Sequence, residues 1–336
     1  MKICLYNVTS TMDLPGTAEV GGTEEFSFRL GEALQAAGHE VTLVGGEPKA
    51  GRSHRPTSLK LKLFAYRDTG EFADGGTRYR KLVQRVNFAR SGAIHFVKAE
   101  SFDLVIAFKP YDLVPFAWSG VRKRSKTLFR FGGTDFFPTD RWHARGADLF
   151  FANSDRTAEK VRGRFGRPCA VIPNGVPIPR EAASIGNSPG NRTLLAVGRL
   201  VGWKGYSDLL LTLSALRHRK GWKLILAGEG PERARLQSLA AEIGVAEKVS
   251  LPGRLAEKAI QDILRGGCLF IQPSLDFDSC PNAAMEAMAV GAPVVLSSEV
   301  GLPEGFQPDR HGLIFRAGDH QQLFERIVLY LDDPAS

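Results

Sequence analysis

The sequence has little cysteine, 4 residues in 336. Cys4, Cys169, Cys268 and Cys280 stand far apart, with no C-x-x-C pair and no histidine at zinc-ligand spacing, which excludes a zinc module. Three of them read as core residues, and Cys280 alone falls in a candidate site. No run approaches 18 consecutive apolar residues, and Met1-Lys2-Ile3-Cys4-Leu5-Tyr6 enters a strand-like run without the basic, apolar and small-residue layout of a signal peptide. A cytoplasmic, non-spanning chain is expected. There is also no G-x-G-x-x-G turn with a ribose-binding acid about 20 residues later, which argues against a nicotinamide-dependent dehydrogenase. The basic residues follow no zinc-finger or basic-zipper spacing, which argues against nucleic acid.

A chain of 336 residues, 43% apolar and 24% charged, is an ordinary globular composition longer than one core usually runs, so two domains of roughly 150 residues are expected. The net charge of +8 is unevenly placed. Residues 1–180 hold 28 Lys and Arg against 18 Asp and Glu, and residues 181–336 hold 16 against 18. That asymmetry directs the first half toward something anionic: a membrane surface, a lipid-linked phosphate or an acidic polysaccharide.

Along the chain, Lys2 to Val8 reads as a buried strand, Gly21-Gly22-Thr23-Glu24 opens a helical pattern that Gly38 ends, and Glu40 to Val44 reads as a second strand. This is a βαβ unit whose glycines let a phosphate or sugar approach the backbone. Residues 49 to 80 show no readable period. Beyond them come the helical pattern Tyr79, Leu82, Val83, Val86, the strand Leu104 to Ala107, a helix near Asp112 to Trp118, and the strand Thr127 to Phe131 before Gly132-Gly133-Thr134-Asp135. The first half closes with the strand Ala147 to Ala152, a helix capped by Ser154, and Ala170 to Gly175. Pro, Gly, Ser and Asn dominate a linker at 176–191. A second alternation of strands and helices runs from Leu194 to Leu331, so both halves are expected to be α/β layers on parallel sheets.

One stretch of the second half gathers chemistry. The apolar run Cys268 to Ile271 leads into a polar loop with Asp276 and Asp278, then Pro281, a small-residue helix containing Glu286, Gly291, and a new strand from Pro293. Glu286 lies about 7 to 8 Å along the axis from the helix start, so it and Asp278 suit two anchors for an elongated ligand. Unpaired N–H groups at the helix start suit an anion or sugar hydroxyls.

Several segments together resemble the retaining glycosyltransferases of family 4, whose GT-B fold has two facing Rossmann-like domains. They are Gly21 to Glu24, Ile172 to Val176, Val197 to Gly205, Leu226 to Pro231, Leu251 to Arg254, Pro273-Ser274 and Asp278 to Val295. The resemblance implies an acceptor-side domain at 1–175 and a nucleotide-sugar donor domain at 192–336. It places the family's Glu-x7-Glu motif on Asp278 and Glu286, with Asp278 one methylene short. By resemblance, Glu286 holds the donor ribose, and Asp278 with the amides of Ser279, Cys280, Asn282 and Ala283 holds the donor sugar. Arg199 and Lys204 match the cations on the donor diphosphate, whose negative charge grows as it leaves. Gly22, Gly228 and Arg254 are assigned to the same donor.

The implied reaction moves a sugar from a nucleotide-diphosphate donor, UDP or GDP based, to a glycan or lipid-linked acceptor in surface polysaccharide or glycolipid synthesis. Peripheral membrane contact through the basic first half is expected, and no cofactor is. Metal independence is expected too, because Asp276-Phe277-Asp278 lies late in a Rossmann-like half, beside Arg199 and Lys204. Two departures stand out. The family's first-domain histidine is Gly132 here, with Arg130 or a backbone amide to fill its role, and His143 the nearest histidine. The chain stops at Ser336, short of the family's last helices, so the expectation is either a truncated end or a protein that manages without that strap. The alternatives are a catalytically weak GT-B protein that binds nucleotide sugar or glycan as a scaffold, and a nucleotide-sugar epimerase of the same fold.

Overall fold

The computed structural model describes residues 1–11, 22–47, 57–65, 82–83, 86–108, 110–133, 136, 140–178, 192–302 and 305–332. Two compact units divide the chain, Met1–Gly175 and Val176–Ser336.

The first unit is built on seven parallel strands: β1 Lys2–Thr11, β2 Glu40–Gly46, β3 Lys60–Phe64, β4 Leu104–Ala107, β5 Lys126–Phe131, β6 Leu149–Ala152 and β7 Ala170–Val171. Their order across the sheet is β3-β2-β1-β4-β5-β6-β7. Helices α1 Gly22–Ala36, α2 Ile94–Glu100, α3 Leu113–Ser119 and α4 Asp155–Phe165 supply the crossovers. Ser154 caps α4 as expected, its Oγ accepting from the Thr157 N–H. Alternating side chains divide the apolar content between two faces. Cys4, Tyr6, Val105 and Phe129 join one buried cluster, and Ile3, Leu5, Leu43 and Ile106 join the other.

Two readings of this half need correction. β1 runs three residues past Val8. The stretch read as patternless contains edge strand β3, whose Lys-Leu-Lys-Leu alternation pairs Leu61 with Leu43. Thr134, Asp135 and all of 66–81 lie outside the described residues, as do residues 179–191 of the expected linker.

The second unit carries six parallel strands: β8 Arg192–Val197, β9 Trp222–Ala227, β10 Val249–Gly253, β11 Cys268–Gln272, β12 Val294–Ser297 and β13 Leu313–Phe315. Its helices are α5 Tyr206–Leu213, α6 Arg233–Glu242, α7 Glu257–Arg265, α8 Asn282–Ala289 and α9 His320–Asp332. The order β10-β9-β8-β11-β12-β13 repeats that of the first six strands of unit one. In such a sheet the chain winds one way from β8 and the other way from β11. The crossovers from these neighbouring strands therefore go to opposite faces of the sheet, and ligands of this architecture bind in the crevice outside the carboxyl ends at that point. Here the register Cys268↔Thr193 through Phe270↔Leu195 holds β8 against β11. The loops at 198–205 and 273–281 face that crevice.

Candidate functional site at the switch point of the second sheet

After β8 the backbone makes a single 3₁₀ turn, Gly202–Lys204, closed by Gly205 in the left-handed region at φ +71°. A Cβ on Gly205 would stand 1.9 Å from the Pro273 carbonyl oxygen, so only glycine lets this loop touch the one after β11. The Leu275 N–H donates to the Trp203 carbonyl across the same seam at 2.8 Å. The turn thereby delivers Lys204 inward, only 8% exposed, with its ammonium 4.6 Å from the Trp203 ring centroid.

The inward ammonium meets Asp278, which is 7% exposed. Lys204 Nζ donates to Asp278 Oδ2 at 2.5 Å. The same oxygen accepts from Ser274 Oγ at 2.9 Å and Gln272 Nε2 at 3.0 Å. A third loop fixes the backbone of Asp278: its N–H donates to Glu299 O at 2.9 Å, and the Gly301 N–H donates to its carbonyl at 2.7 Å. Ser297 Oγ donates to Ser274 O at 2.6 Å. The loops after β8, β11 and β12 thus converge on one residue, Asp278.

Next to this cluster Tyr206, at the start of α5, is 2% exposed, and its hydroxyl has no hydrogen-bond partner among the described residues. Burial, and after it the charge of Asp278, pushes the phenol well above its ordinary range. A Cβ on Gly198 would lie 2.4 Å from that hydroxyl and 3.9 Å from Lys204 Cε, so both groups lie near Gly198.

The other expected site residues are dispersed around this point. Arg199 is exposed, and among the described residues its side chain makes no hydrogen bond or ion pair. Glu286 is the fifth residue of α8 and half-buried, while Ala284 and Ala287 turn that helix onto the sheet. Pro281 precedes the helix with extended ψ rather than lying in its first turn. Ser279, Asn282 and Ala283 are half-buried, and Cys280 is buried with φ +53°. Gly228 packs against the Gly198 carbonyl, where a Cβ would stand at 1.8 Å. Arg254 follows β10 and is half-buried. Gly22 opens α1 in the first unit.

Asp276 is exposed and accepts the Phe277 N–H on its own Oδ1, whereas Asp278 turns to Lys204, so the two acids of the D-x-D make separate bonds. Among the described residues no three His, Cys, Asp or Glu side chains gather as metal ligands. Burial raises the thiols of Cys268, to about 12, and Cys169, to about 11.

Sequence reading missed Gln272, Ser274, Ser297 and Tyr206. The signal available was positional: Gln272 and Ser297 are the polar last residues of otherwise apolar strands, where a parallel sheet presents its ligand side.

In the first unit Arg130, 3% exposed, donates from Nη2 to Asn174 Oδ1 at 2.6 Å and stacks 4.0 Å over the Phe26 ring. A Cβ on Gly132 would stand 2.8 Å from Arg130 Nη1. The guanidinium thus fills the space that a side chain at 132 would need. His143 is buried, 3.6 Å from Asp140 and in edge contact with Tyr111 and Trp142. Among the described residues no helix is long and apolar enough to cross a membrane.

Residues 20–180 match the model of Glycosyltransferase Family 4, and residues 178–336 match that of Glycosyl transferases group 1. The chain is 28% identical over 209 residues to a GDP-mannose-dependent alpha-(1-6)-phosphatidylinositol monomannoside mannosyltransferase of Mycobacterium tuberculosis, covering 56% of this chain and 54% of that protein. It is 25% identical over 319 residues to the lipopolysaccharide core biosynthesis glycosyltransferase LpsE of Rhizobium meliloti, covering 92% and 86%. The first curated relatives are matched over about a third to just over half of their own length. In three dimensions it resembles Anabaena Alr3699/HepE in complex with UDP-glucose, with a TM-score of 0.73 and 20% identity over 99% of this chain and 90% of that one. That likeness gives both α/β units the fold of the GT-B glycosyltransferases. The chain belongs to the family 4 type of glycosyltransferase, its first half by that family's own model and its second half by the group 1 model.

Proposed function

We propose that the chain transfers a sugar from a nucleotide-diphosphate donor to a glycan or lipid-linked acceptor, with retention at the anomeric carbon and without a metal ion. The observation that carries this reading is the set of groups at the switch point of the second sheet. Unpaired Arg199, the clamped ammonium of Lys204 and the amino end of α8 surround a crevice suited to a diphosphate. As the bond from the anomeric carbon to the donor phosphate breaks, negative charge grows on the leaving nucleoside diphosphate, and fixed cations stabilise it there. Glu286, one turn into α8, takes the ribose hydroxyls, and the backbone from Ser279 to Ala283 faces the sugar.

The HepE complex contains UDP-glucose and the mycobacterial relative is named for GDP-mannose, so both bases are donor candidates here. LpsE is named for lipopolysaccharide core synthesis, and an acceptor of that class with peripheral membrane contact fits the charge excess of residues 1–180. A cytoplasmic site of action goes with this reading. The test is a thermal-shift screen against UDP, GDP and ADP, followed by turnover of the matching nucleotide sugars with and without EDTA. No stabilisation by any of the three sinks the donor site; loss of turnover in EDTA that Mg²⁺ or Mn²⁺ restores sinks metal independence.

A second reading, binding of nucleotide sugar without turnover, is favoured by position 132, where glycine stands in place of the family's histidine and a Cβ would press on Arg130 Nη1 at 2.8 Å. Nucleotide binding with neither donor hydrolysis nor transfer across an acceptor panel would select it.

A further inference from the structure

Asp278 is bound in a way that its spacing from Glu286 does not foretell. By resemblance its carboxylate belongs on the donor's sugar, yet here it turns inward, 7% exposed. One oxygen receives three donors, from Lys204, Ser274 and Gln272. Its backbone is tied at both N–H and carbonyl to the loop after β12. With its backbone pinned and Oδ2 taken by three donors, the carboxylate cannot swing outward without breaking those three side-chain bonds. Lys204 differs: an ammonium has three N–H groups, and the carboxylate occupies one.

We propose that Asp278 is a positioning residue that fixes the Lys204 ammonium for the donor diphosphate and does not itself contact the sugar. This rests on the donor-site reading above. The missing methylene then has a physical reason. The backbone of Asp278 is pinned, so the cradle of Lys204, Ser274 and Gln272 fits the shorter acid, and a glutamate would drive its carboxylate into them. The clamp also sets the charge at the site. Lys204 and Asp278 together are neutral, so the diphosphate meets the unpaired charge of Arg199 and the remaining N–H groups of a shared lysine. Sharing is favoured over transfer, because a lysine that left would strand a buried carboxylate.

Among the described residues, two buried polar atoms beside the clamp have no partner, the Tyr206 hydroxyl and Gln272 Oε1. Tyr206 OH and Lys204 Cε both lie near Gly198. The lysine is held by the Asp278 carboxylate, with the Trp203 ring centroid 4.6 Å from its ammonium.

The test is calorimetric titration of the wild type, Asp278→Asn, Asp278→Glu, Lys204→Ala and the double variant Lys204→Ala/Asp278→Asn. The ligands are UDP and UDP-glucose, and GDP and GDP-mannose. Positioning predicts that Asp278→Asn weakens the bare nucleoside diphosphate and its sugar by the same factor, tenfold or more. It predicts that Asp278→Glu also weakens both, and that adding Asp278→Asn to Lys204→Ala causes no further loss. If Asp278→Asn weakens only the nucleotide sugar, or Asp278→Glu binds it more tightly than the wild type does, Asp278 touches the sugar and the proposal is overturned. Should Asp278→Asn fail to fold by circular dichroism, the double variant decides, since it buries no unpaired charge. A wild type that binds neither nucleotide overturns the donor site as a whole, whereas a sugar-only effect overturns the role of Asp278 alone.

Discussion

Lys204 in the second unit and Arg130 in the first are both buried cations near the carboxyl ends of parallel strands, and their surroundings hold them by different means. Lys204 meets a carboxylate that two neutral donors share, with a ring beside it. Arg130 donates to an amide oxygen and lies flat on Phe26. The chemistry of the two side chains accounts for the contrast. An ammonium is a compact, strongly hydrated charge that needs an anion when it is buried, whereas a planar guanidinium is weakly hydrated and stacks. A lysine on a flexible stem keeps N–H groups for a third partner. An arginine stacked on a ring serves as a wall, and the missing side chain at Gly132 is the imprint of that wall.

The sharpest way to break this contrast is Lys204→Ala. On the proposed donor reading it takes a cation away from the leaving diphosphate, and it strands Asp278, so kcat/KM is expected to fall roughly a hundredfold to a thousandfold, with a stability loss of about 3 to 5 kcal/mol. Steady-state kinetics and chemical denaturation measure the two separately. Arg130→Ala should act mainly on stability, at a cost of about 2 kcal/mol from the lost stack, and Arg130→Lys should recover little of it because the planar fork is gone. Gly132→Ala is smaller again. Its Cβ presses on a guanidinium held on two sides, so a loss of about 1 kcal/mol is expected, which should vanish in the Arg130→Ala background if the two positions are coupled. Arg199→Ala should change stability by less than about 0.5 kcal/mol, as an exposed residue without partners, while weakening nucleoside diphosphate binding. An equal loss of stability for Arg199→Ala and Lys204→Ala would erase the distinction between an exposed charge and a clamped one.

How much of this was legible in the sequence follows from what each feature depends on. The six strands of the second unit were readable because buried parallel strands are short apolar runs bounded by turn residues, as in Leu194 to Val197 and Cys268 to Ile271. Edge strand β3 was missed, because alternating Lys and Leu in a half-buried strand is a weak signal among the scattered charges of 49–80. Lys204, Asp278 and Glu286 were found by their pattern. The direction in which Asp278 points was not legible, because it depends on backbone bonds to the Glu299 carbonyl and from the Gly301 N–H, more than 20 residues later, and on Lys204, 74 residues earlier. Tyr206 and Gln272 escaped for the same reason: in a one-dimensional reading each is simply the end of an apolar element. The relation of Arg130 to Gly132 was half visible, since residues two apart on a strand share a face, but its lock on Phe26 and Asn174 came only with the fold.

The central claim is that the crevice at the end of β8 and β11 binds a nucleoside diphosphate through a clamped lysine. Calorimetric titration of UDP and GDP into the wild type and Lys204→Ala tests it directly. The account predicts saturable one-site binding by the wild type and at least a tenfold weaker constant for a folded Lys204→Ala; an unchanged constant would contradict it.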